Sequence, residues 1–281
     1  MSPPGRPKGE YRSAQHEGTP MSEAFAADLL ARIEDAGINA SAPSEQLWID
    51  GWLVRFSPGK AKRARCVQAV AAGRGPLAAR LERCLAVYAD AGLRPCFRIT
   101  PFSQPAGLDE QLAARGMERI DDTRVMVASI APGSGALGEA DDAVDGDRFR
   151  LVGGEAFAEW VGGQRGSTGV ERAAHAKRIG QSPVTHRALL VFDAAGSPVA
   201  GGQVAIEDDL AGLYDIFSTE AMRGRGLARA LCRRLLCLAA EEGARVAYLQ
   251  VEASNAPARR VYERLGFADA YAYHYRSPAA P

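Results

Sequence analysis

The chain has 281 residues, of which 47% are hydrophobic and 24% charged, and its 34 Lys+Arg balance its 34 Asp+Glu. That length allows two small domains or one large one, and the composition is that of a soluble globular protein. A net charge of zero excludes a global electrostatic pull toward nucleic acid or an anionic membrane.

No apolar run approaches the roughly 18 residues that a membrane span needs. Residues 1–20 are rich in Pro, Gly and charge and lack the apolar core of a secretory signal; they are expected to form a disordered tail. A cytoplasmic location follows as the expectation. The five cysteines, Cys66, Cys84, Cys96, Cys232 and Cys237, are odd in number with no C-x-x-C pair, so they read as reduced thiols. The histidines His16, His175, His186 and His274 are scattered, and no metal is expected.

Residues 21–130 form a first unit. A helix is expected from Ser22 to Ala36, stopped by Gly37. Leu47–Phe56 reads as a hairpin turning at Asp50–Gly51, and Arg65–Ala71 as a strand. Leu77, Leu81, Leu85 and Tyr88 give Leu77–Asp90 a helical period. A strand over Pro95–Thr100, a short helix over Leu108–Arg115 and a strand over Thr123–Ile130 follow. Residues 131–147 are small, acidic and Gly-rich, and read as a linker.

Residues 148–277 form a second unit. Arg148–Val152 reads as a strand, and Glu155–Trp160 and Glu171–Ile179 as helical pieces. His186–Asp193, Val199–Glu207 and Leu210–Ser218 read as a three-stranded meander. A long helix, the strand Ala247–Glu252, a short helix and a last strand over Ala270–Arg276 complete it. Both units end in the order strand–helix–strand–helix–strand. The expected fold class is α/β (α+β), a mixed and mostly antiparallel sheet flanked by helices, in two halves.

The most informative segment follows the meander. After Ile216, Phe217 and Ser218 comes Arg223-Gly224-Arg225-Gly226-Leu227-Ala228, and a helix begins whose inner face is Leu227, Leu231, Leu235 and Leu238. The first turn of a helix carries unpaired N–H groups and a positive partial charge. Two glycines leave room for a close anion and two arginines add charge, which suits a pyrophosphate. The bland alternative is a solvated basic helix start. The segment is neither a P-loop nor a Rossmann fingerprint, since Arg229 stands where the third glycine would be. Downstream, Tyr248–Phe267 reads strand, helix, turn. Asn255 can cap the helix, Pro257 suits its first turn and Gly266 its end; Tyr262 could be a core aromatic.

Arg223-x-x-Gly226-x-Ala228 resembles the Arg/Gln-x-x-Gly-x-Gly/Ala signature of the GNAT superfamily of acyl-CoA N-acyltransferases. N-x-P-A-x-x-x-Y-E-x-L-G-F, from Asn255 to Phe267, resembles its second motif. The resemblance covers residues 148–277. It implies that the amides of Arg223, Gly224, Arg225, Gly226, Leu227 and Ala228 hold the pyrophosphate of acetyl-CoA. It also implies that the backbone of Ile216, Phe217 and Ser218 pairs with the pantetheine arm, that Asn255 contacts that arm, and that Tyr262 protonates the departing thiolate. A phenol pKa of ~10 lies close enough to a thiol's ~8.5 for such a transfer. The whole chain also resembles tandem GNAT-like proteins through Trp48–Arg55, Phe97–Ile99 and Leu112–Gly116. The first half has no such loop; Gly73-Arg-Gly75-Pro76 comes nearest, and Pro76 lacks the N–H the loop needs. That half reads as degenerate, either structural or one wall of the acceptor pocket.

The implied reaction is acetyl transfer from acetyl-CoA to an amine of a small molecule or a protein. For the general base, Asp215 and Glu252 are the candidates, although strand alternation complicates both. Glu155, Glu159 and Trp160 lie on the helix where the family usually builds its acceptor pocket. Two other readings stand beside this one: a non-catalytic acyl-CoA-binding or sensor protein, and a nucleic-acid module using Arg223, Arg225, Arg229, Arg233 and Arg234. Neutral charge and the lack of interleaved aromatics argue against the last. Tandem halves could form an internal pseudo-dimer, which makes a monomer the expectation and a homodimer the alternative.

Overall fold

The computed structural model describes residues 24–131 and 148–279. The expected tail over residues 1–20, the helix start at Ser22 and, apart from Ala131, the linker over 131–147 lie outside the described residues. The first half runs α1 (Ala27–Ala40), β1 (Gln46–Ile49), β2 (Trp52–Arg55), a 3-10 turn at Lys62–Ala64, β3 (Val67–Gln68), α2 (Leu77–Asp90), β4 (Phe97–Ile99), α3 (Leu108–Ala113) and β5 (Met117–Ser129). The second runs β6 (Phe149–Val152), α4 (Gly154–Gln164), α5 (Gly169–Gly180), β7 (Thr185–Phe192), β8 (Pro198–Glu207), β9 (Leu210–Ser218), a 3-10 turn at Glu220–Met222, α6 (Leu227–Glu241), β10 (Val246–Glu252), α7 (Ala256–Arg264) and β11 (Ala268–Pro278).

Local chemistry explains most boundaries. Asp50 and Gly51 both take positive φ, 42° and 83°, as a two-residue hairpin turn of this hand requires. Thr168 and Glu171 form a reciprocal capping box at the start of α5, which satisfies two orphan N–H groups. Gly37 does not stop α1, which continues to Ala40. Its role is close approach: a side-chain carbon there would lie 3.2 Å from Gln250 Nε2. The chain leaves the helix at Ser41, whose hydroxyl donates to the Gly37 carbonyl at 2.7 Å. β3 is shorter than expected, and β5 begins six residues before the expected Thr123.

All eleven strands join one sheet in the order β1-β2-β3-β4-β11-β5-β10-β9-β8-β7-β6. Two parallel pairs, β3/β4 and β9/β10, flank its centre. Between them β11 and β5 run antiparallel to each other, and each is hydrogen-bonded to the other half: β11 to β4 and β5 to β10. Every other contact along these strands is antiparallel.

Alternation assigns the faces. On β5, Val125 and Val127 pack toward α1, while Met126 and Ala128 pack toward α6. On β7, Ala188 and Leu190 pack under α4 and α5, and Leu189 and Val191 under α6. Phe97 and Ile99 of β4 face α2 and α3. Thus α1, α4 and α5 cover one face, and α2, α3, α6 and α7 the other. No helix among the described residues is long and apolar enough to cross a membrane. The five cysteines are free thiols.

The α1 face carries a buried ion pair. Arg98 of β4 grips Glu34 of α1 through both guanidinium nitrogens, and the Tyr271 hydroxyl of β11 donates to the same carboxylate at 2.7 Å. The guanidinium lies 3.9 Å over the Tyr273 ring. Glu34 and Arg98 are 7% and 2% exposed, so removing one partner strands a charge away from water. Glu34→Ala is expected to lower unfolding free energy by about 3–5 kcal/mol, and Tyr271→Phe by about 1 kcal/mol. Urea denaturation of each variant checks this; equal effects would mean that the hydroxyl, not the charge pair, holds α1 to the sheet.

Candidate functional site

β9 and β10 pair in parallel from Leu210↔Val246 only as far as Leu213↔Leu249, although the strands continue to Ser218 and Glu252. Beyond that point each strand keeps its outer neighbour, β8 for β9 and β5 for β10. The inner edges therefore part, leaving a cleft lined by backbone that no ladder satisfies. Of the three β9 residues expected at this cleft, Ile216 packs on the α6 side. Phe217 meets Trp160 edge to face at 6.0 Å between ring centroids. The Ser218 hydroxyl is buried with no hydrogen-bond partner among the described residues, and an orphaned polar atom at that depth calls for a ligand or water.

The chain then makes its 3-10 turn and reaches α6. Arg223, Gly224, Arg225 and Gly226 are exposed. Gly224 and Gly226 take φ of 74° and 76°, and the space where a side-chain carbon would stand is open at both. Gly226 occupies the N-cap position, no side chain caps the helix, and its first turn holds no acid. Leu227 is buried and fixes the helix on the sheet, while Ala228 is half-buried. The outcome, among the described residues, is a helix N-terminus without a side-chain cap, a geometry that suits an anion, at the end of the strand that borders the cleft. Asn255 caps α7, its Oδ1 accepting from Ala258 N at 3.2 Å. Tyr262 is half-buried on the α6 side, 6.1 Å edge to face from Phe267. Burial pushes its phenol up.

The corresponding loop of the first half is filled from within. The Asp50 carboxylate accepts from the amides of Arg74 and Gly75 at 2.9 and 3.0 Å, and Arg80 lies 3.2 Å from it. A side-chain carbon on Gly73 would sit 2.0 Å from the Arg80 guanidinium. Protein groups thus occupy the space that stands open before α6.

On the opposite face of the cleft lies a cavity of about 370 Å³, walled by both halves. The first half contributes the segment Ser57–Ala64 together with Asp121 and Thr123; α4 and α5 contribute Arg165, His175 and Arg178. Of the candidate bases, both Asp215 and Glu252 line it. Asp215 has φ 54° and sits in a bulge, because Tyr214 pairs with Gln203 and Phe217 with Gly201. Gln203 Nε2 donates to it at 2.7 Å, Arg165 pairs with it and His175 Nε2 lies 3.3 Å away. Burial alone would raise this carboxyl, but the His175 hydrogen bond and the charges of Arg165 and Arg178 hold it well below the usual carboxylate range. Asp215 is therefore a committed anion and a poor proton acceptor. Glu252 is exposed and makes no side-chain hydrogen bond or ion pair among the described residues.

Other expectations shift. Glu155 and Glu159 do not line this cavity; they border a shallower groove, where Glu159 pairs with Arg172 at 2.9 Å. Trp160 is packed against Phe217, and the cavity uses the next turn of α4, Val161, Gly162 and Arg165. Arg63, Arg165, His175, Arg178 and Gln203 had no sequence signal, since they meet Asp215 and Gln250 across long separations. Among the described residues, no group of three or more His, Cys, Asp or Glu is placed to hold a metal.

Residues 29–276 match the family described as "probable histone acetyltransferase Rv0428c C-terminal". The N-acetyltransferase YobR of Bacillus subtilis (strain 168), itself termed uncharacterized, is 30% identical over 255 residues, spanning 89% of this chain and 98% of the relative. A GCN5-related N-acetyltransferase from Kribbella flavida has a similar fold, with a TM-score of 0.66 at 18% identity over 91% of this chain and 98% of that one. A tandem GNAT protein from the clavulanic acid biosynthesis pathway aligns with a TM-score of 0.54 at 14% identity over 73% of this chain and 70% of that one.

The state of Asp215 sets a pH dependence. A carboxyl depressed in the folded state binds its proton more readily when unfolded, so its contribution to stability is full above the unfolded value of ~3.9 and is lost as pH falls through the folded value. Asp215→Asn removes that contribution. The urea midpoint of the variant is expected to fall less than that of the wild type between about pH 5 and about pH 3; parallel curves would show that Asp215 does not carry the depressed proton equilibrium.

Proposed function

The chain belongs to this family of GNAT N-acetyltransferases, and from that premise we propose that it moves an acetyl group from acetyl-CoA to a primary amine bound between its two halves. One observation carries the reading: an uncapped, glycine-opened helix start stands beside a cleft between parting parallel strands, and that cleft opens onto a cavity holding a free carboxylate. The amides of residues 223–228 would hold the pyrophosphate, with Arg223 and Arg225 adding charge. The unpaired backbone of Ile216, Phe217 and Ser218 would run beside the pantetheine arm, and the exposed Asn255 borders its path.

Bound there, acetyl-CoA supplies a thioester carbon in a fixed position, and positioning provides much of the rate. The amine nitrogen bonds to that carbon as the carbon–sulfur bond breaks, giving an amide and a thiol. Glu252 takes the proton that the amine sheds, directly or through water. Tyr262 stands on the α6 side of the cleft, away from the acceptor cavity, and gives its hydroxyl proton to the sulfur. It is protonated at neutral pH, and burial raises its pKa, which makes it a weaker acid than a free phenol and widens the gap that the proton must cross to reach the thiolate. Asp215 orients Arg165, His175 and Gln203 and does no proton transfer. Action in the cytoplasm belongs to the same proposal.

Two experiments test this reading. Ala228→Glu adds a carboxylate to the first turn of α6, where a helix tolerates negative charge, but aims it at the bound anion. Calorimetry is expected to show micromolar acetyl-CoA binding to the wild type and at least tenfold weaker binding to the variant; no binding to a folded wild type would overturn the proposal. Tyr262→Phe and Glu252→Gln are each expected to lower kcat by about 10²–10⁴-fold, the usual range for a general acid or base, with acetyl-CoA binding retained. If the phenylalanine variant turns over normally, Tyr262 is not the donor. Binding without turnover of any amine would favour the acyl-CoA sensor reading.

A further inference from the structure

The acceptor cavity is lined by six cationic side chains, Lys60, Lys62, Arg63, Arg165, Arg172 and Arg178, against four acids, Asp121, Glu171, Asp215 and Glu252. Most of these charges are spoken for. Lys62 pairs with Asp121 and Arg165 with Asp215. Arg172 pairs with Glu159, and Glu171 folds back to accept from the Thr168 amide at 2.8 Å. Lys60 is exposed and donates to the Arg165 carbonyl at 2.9 Å. Arg63 and Arg178 differ: both are half-buried and neither is in a direct salt bridge among the described residues, although Arg178 is near enough to Asp215 for the two charges to stabilise each other. Arg63 reaches the amide oxygen of Gln250 and lies 5.0 Å over the Tyr214 ring. Arg178 reaches only the Ala40 carbonyl, at 3.5 Å.

Two guanidiniums facing one cavity repel each other and lose solvation, and an unpaired charge in such a place is costly. Both are positioned by neutral groups, so their remaining N–H donors stay available. A guanidinium presents a planar fork that matches a carboxylate or phosphate. The cavity also suits a small molecule in size.

We propose that the acceptor amine also carries an anionic group, a carboxylate or a phosphate, and that Arg63 and Arg178 hold that group while the amine faces Glu252. This rests on the acetyl-transfer reading for the amine end, but the anion end stands on the cavity alone. It assigns the first half a task in recognition, since Arg63 lies on its 3-10 turn. A polycationic acceptor would meet the same two charges as a barrier.

The test uses the full chain and a panel of amino acids and aminoalkylphosphonates, each beside its neutral amide or alcohol. Thiol release from acetyl-CoA gives kcat/KM, and calorimetry gives binding with and without CoA. The anionic members are expected to be preferred by roughly tenfold to a hundredfold, the value of a charge-assisted pair, with the carboxylate and phosphonate arms showing which anion is taken. That preference is expected to collapse in Arg63→Gln and in Arg178→Gln, while acetyl-CoA binding and the circular dichroism spectrum are unchanged. Equal preference, preference for the neutral partner, or a preference that survives both substitutions overturns the assignment. So does a complete lack of binding by the anionic amines, which leaves the acetyl-CoA reading standing. Conversely, if acetyl-CoA fails to bind but the anionic amines still bind through Arg63 and Arg178, the acetyl-transfer reading falls and the anion site remains.

Discussion

At the middle of the sheet each half lends a strand to the other: β4 takes its antiparallel neighbour from the end of the chain, and β10 takes its own from the first half. Backbone N–H and C=O groups at a buried strand edge must be paired, so neither half can close its sheet alone in this arrangement. The buried contact of Glu34 and Arg98 with Tyr271 belongs to the same seam. The exchange also brings the segment Ser57–Ala64 of the first half up to Gln250 and Tyr273 of the second. The cavity that holds Asp215 and Glu252 is a product of this interleaving.

The two loops before α2 and α6 show how one backbone plan is used in two ways. Before α6, two glycines at positive φ face open space and no side chain caps the helix. Before α2, Asp50 fills the same kind of amide cradle and Arg80 lies under Gly73. An internal carboxylate at high effective concentration outcompetes a dissolved anion, so the first half keeps the local geometry with a protein group inside it. Pro76 pointed that way in the sequence, but the occupant, Asp50, comes from the turn of a hairpin that sequence distance hides.

Elements set by local chemistry were legible. The Asp50–Gly51 turn, the full extent of α2 and the strand β9 were readable from turn residues and period. The open, glycine-lined start of α6 was readable because its geometry depends on backbone and small residues contiguous in the chain. What failed to show depends on three-dimensional neighbours. Gly37 looked like a helix stop because glycine usually lowers helix propensity; its real constraint is Gln250, more than two hundred residues away. The Thr168-x-x-Glu171 capping box is a local signal too, and it starts α5 two residues before the expected Glu171. The cavity cations were invisible, since an arginine in a pocket and one in solvent have the same letter.

Strand alternation is where the sequence argument met its limit, and the bulge in β9 supplies the missing step. Ala211 and Leu213 face α6, so strict alternation would send Asp215 to the same side, into an apolar core without partners. The positive φ at Asp215 inserts one extra residue opposite Gly202. Asp215 turns instead to Gln203, His175 and Arg165, and Ile216 takes the core position under α6. The same extra residue bends β9 just past its last pair with β10, at Leu213↔Leu249, since bulges bend and twist the strand that carries them. β10 has no such interruption: Tyr248 faces α1 while Ala247, Leu249 and Val251 face α6, so Glu252 reaches the cavity by plain alternation. One strained residue therefore accounts for the parting strands and for the engagement of Asp215 by Gln203, His175 and Arg165, and it leaves Glu252 as the cavity carboxylate without a hydrogen-bond partner among the described residues.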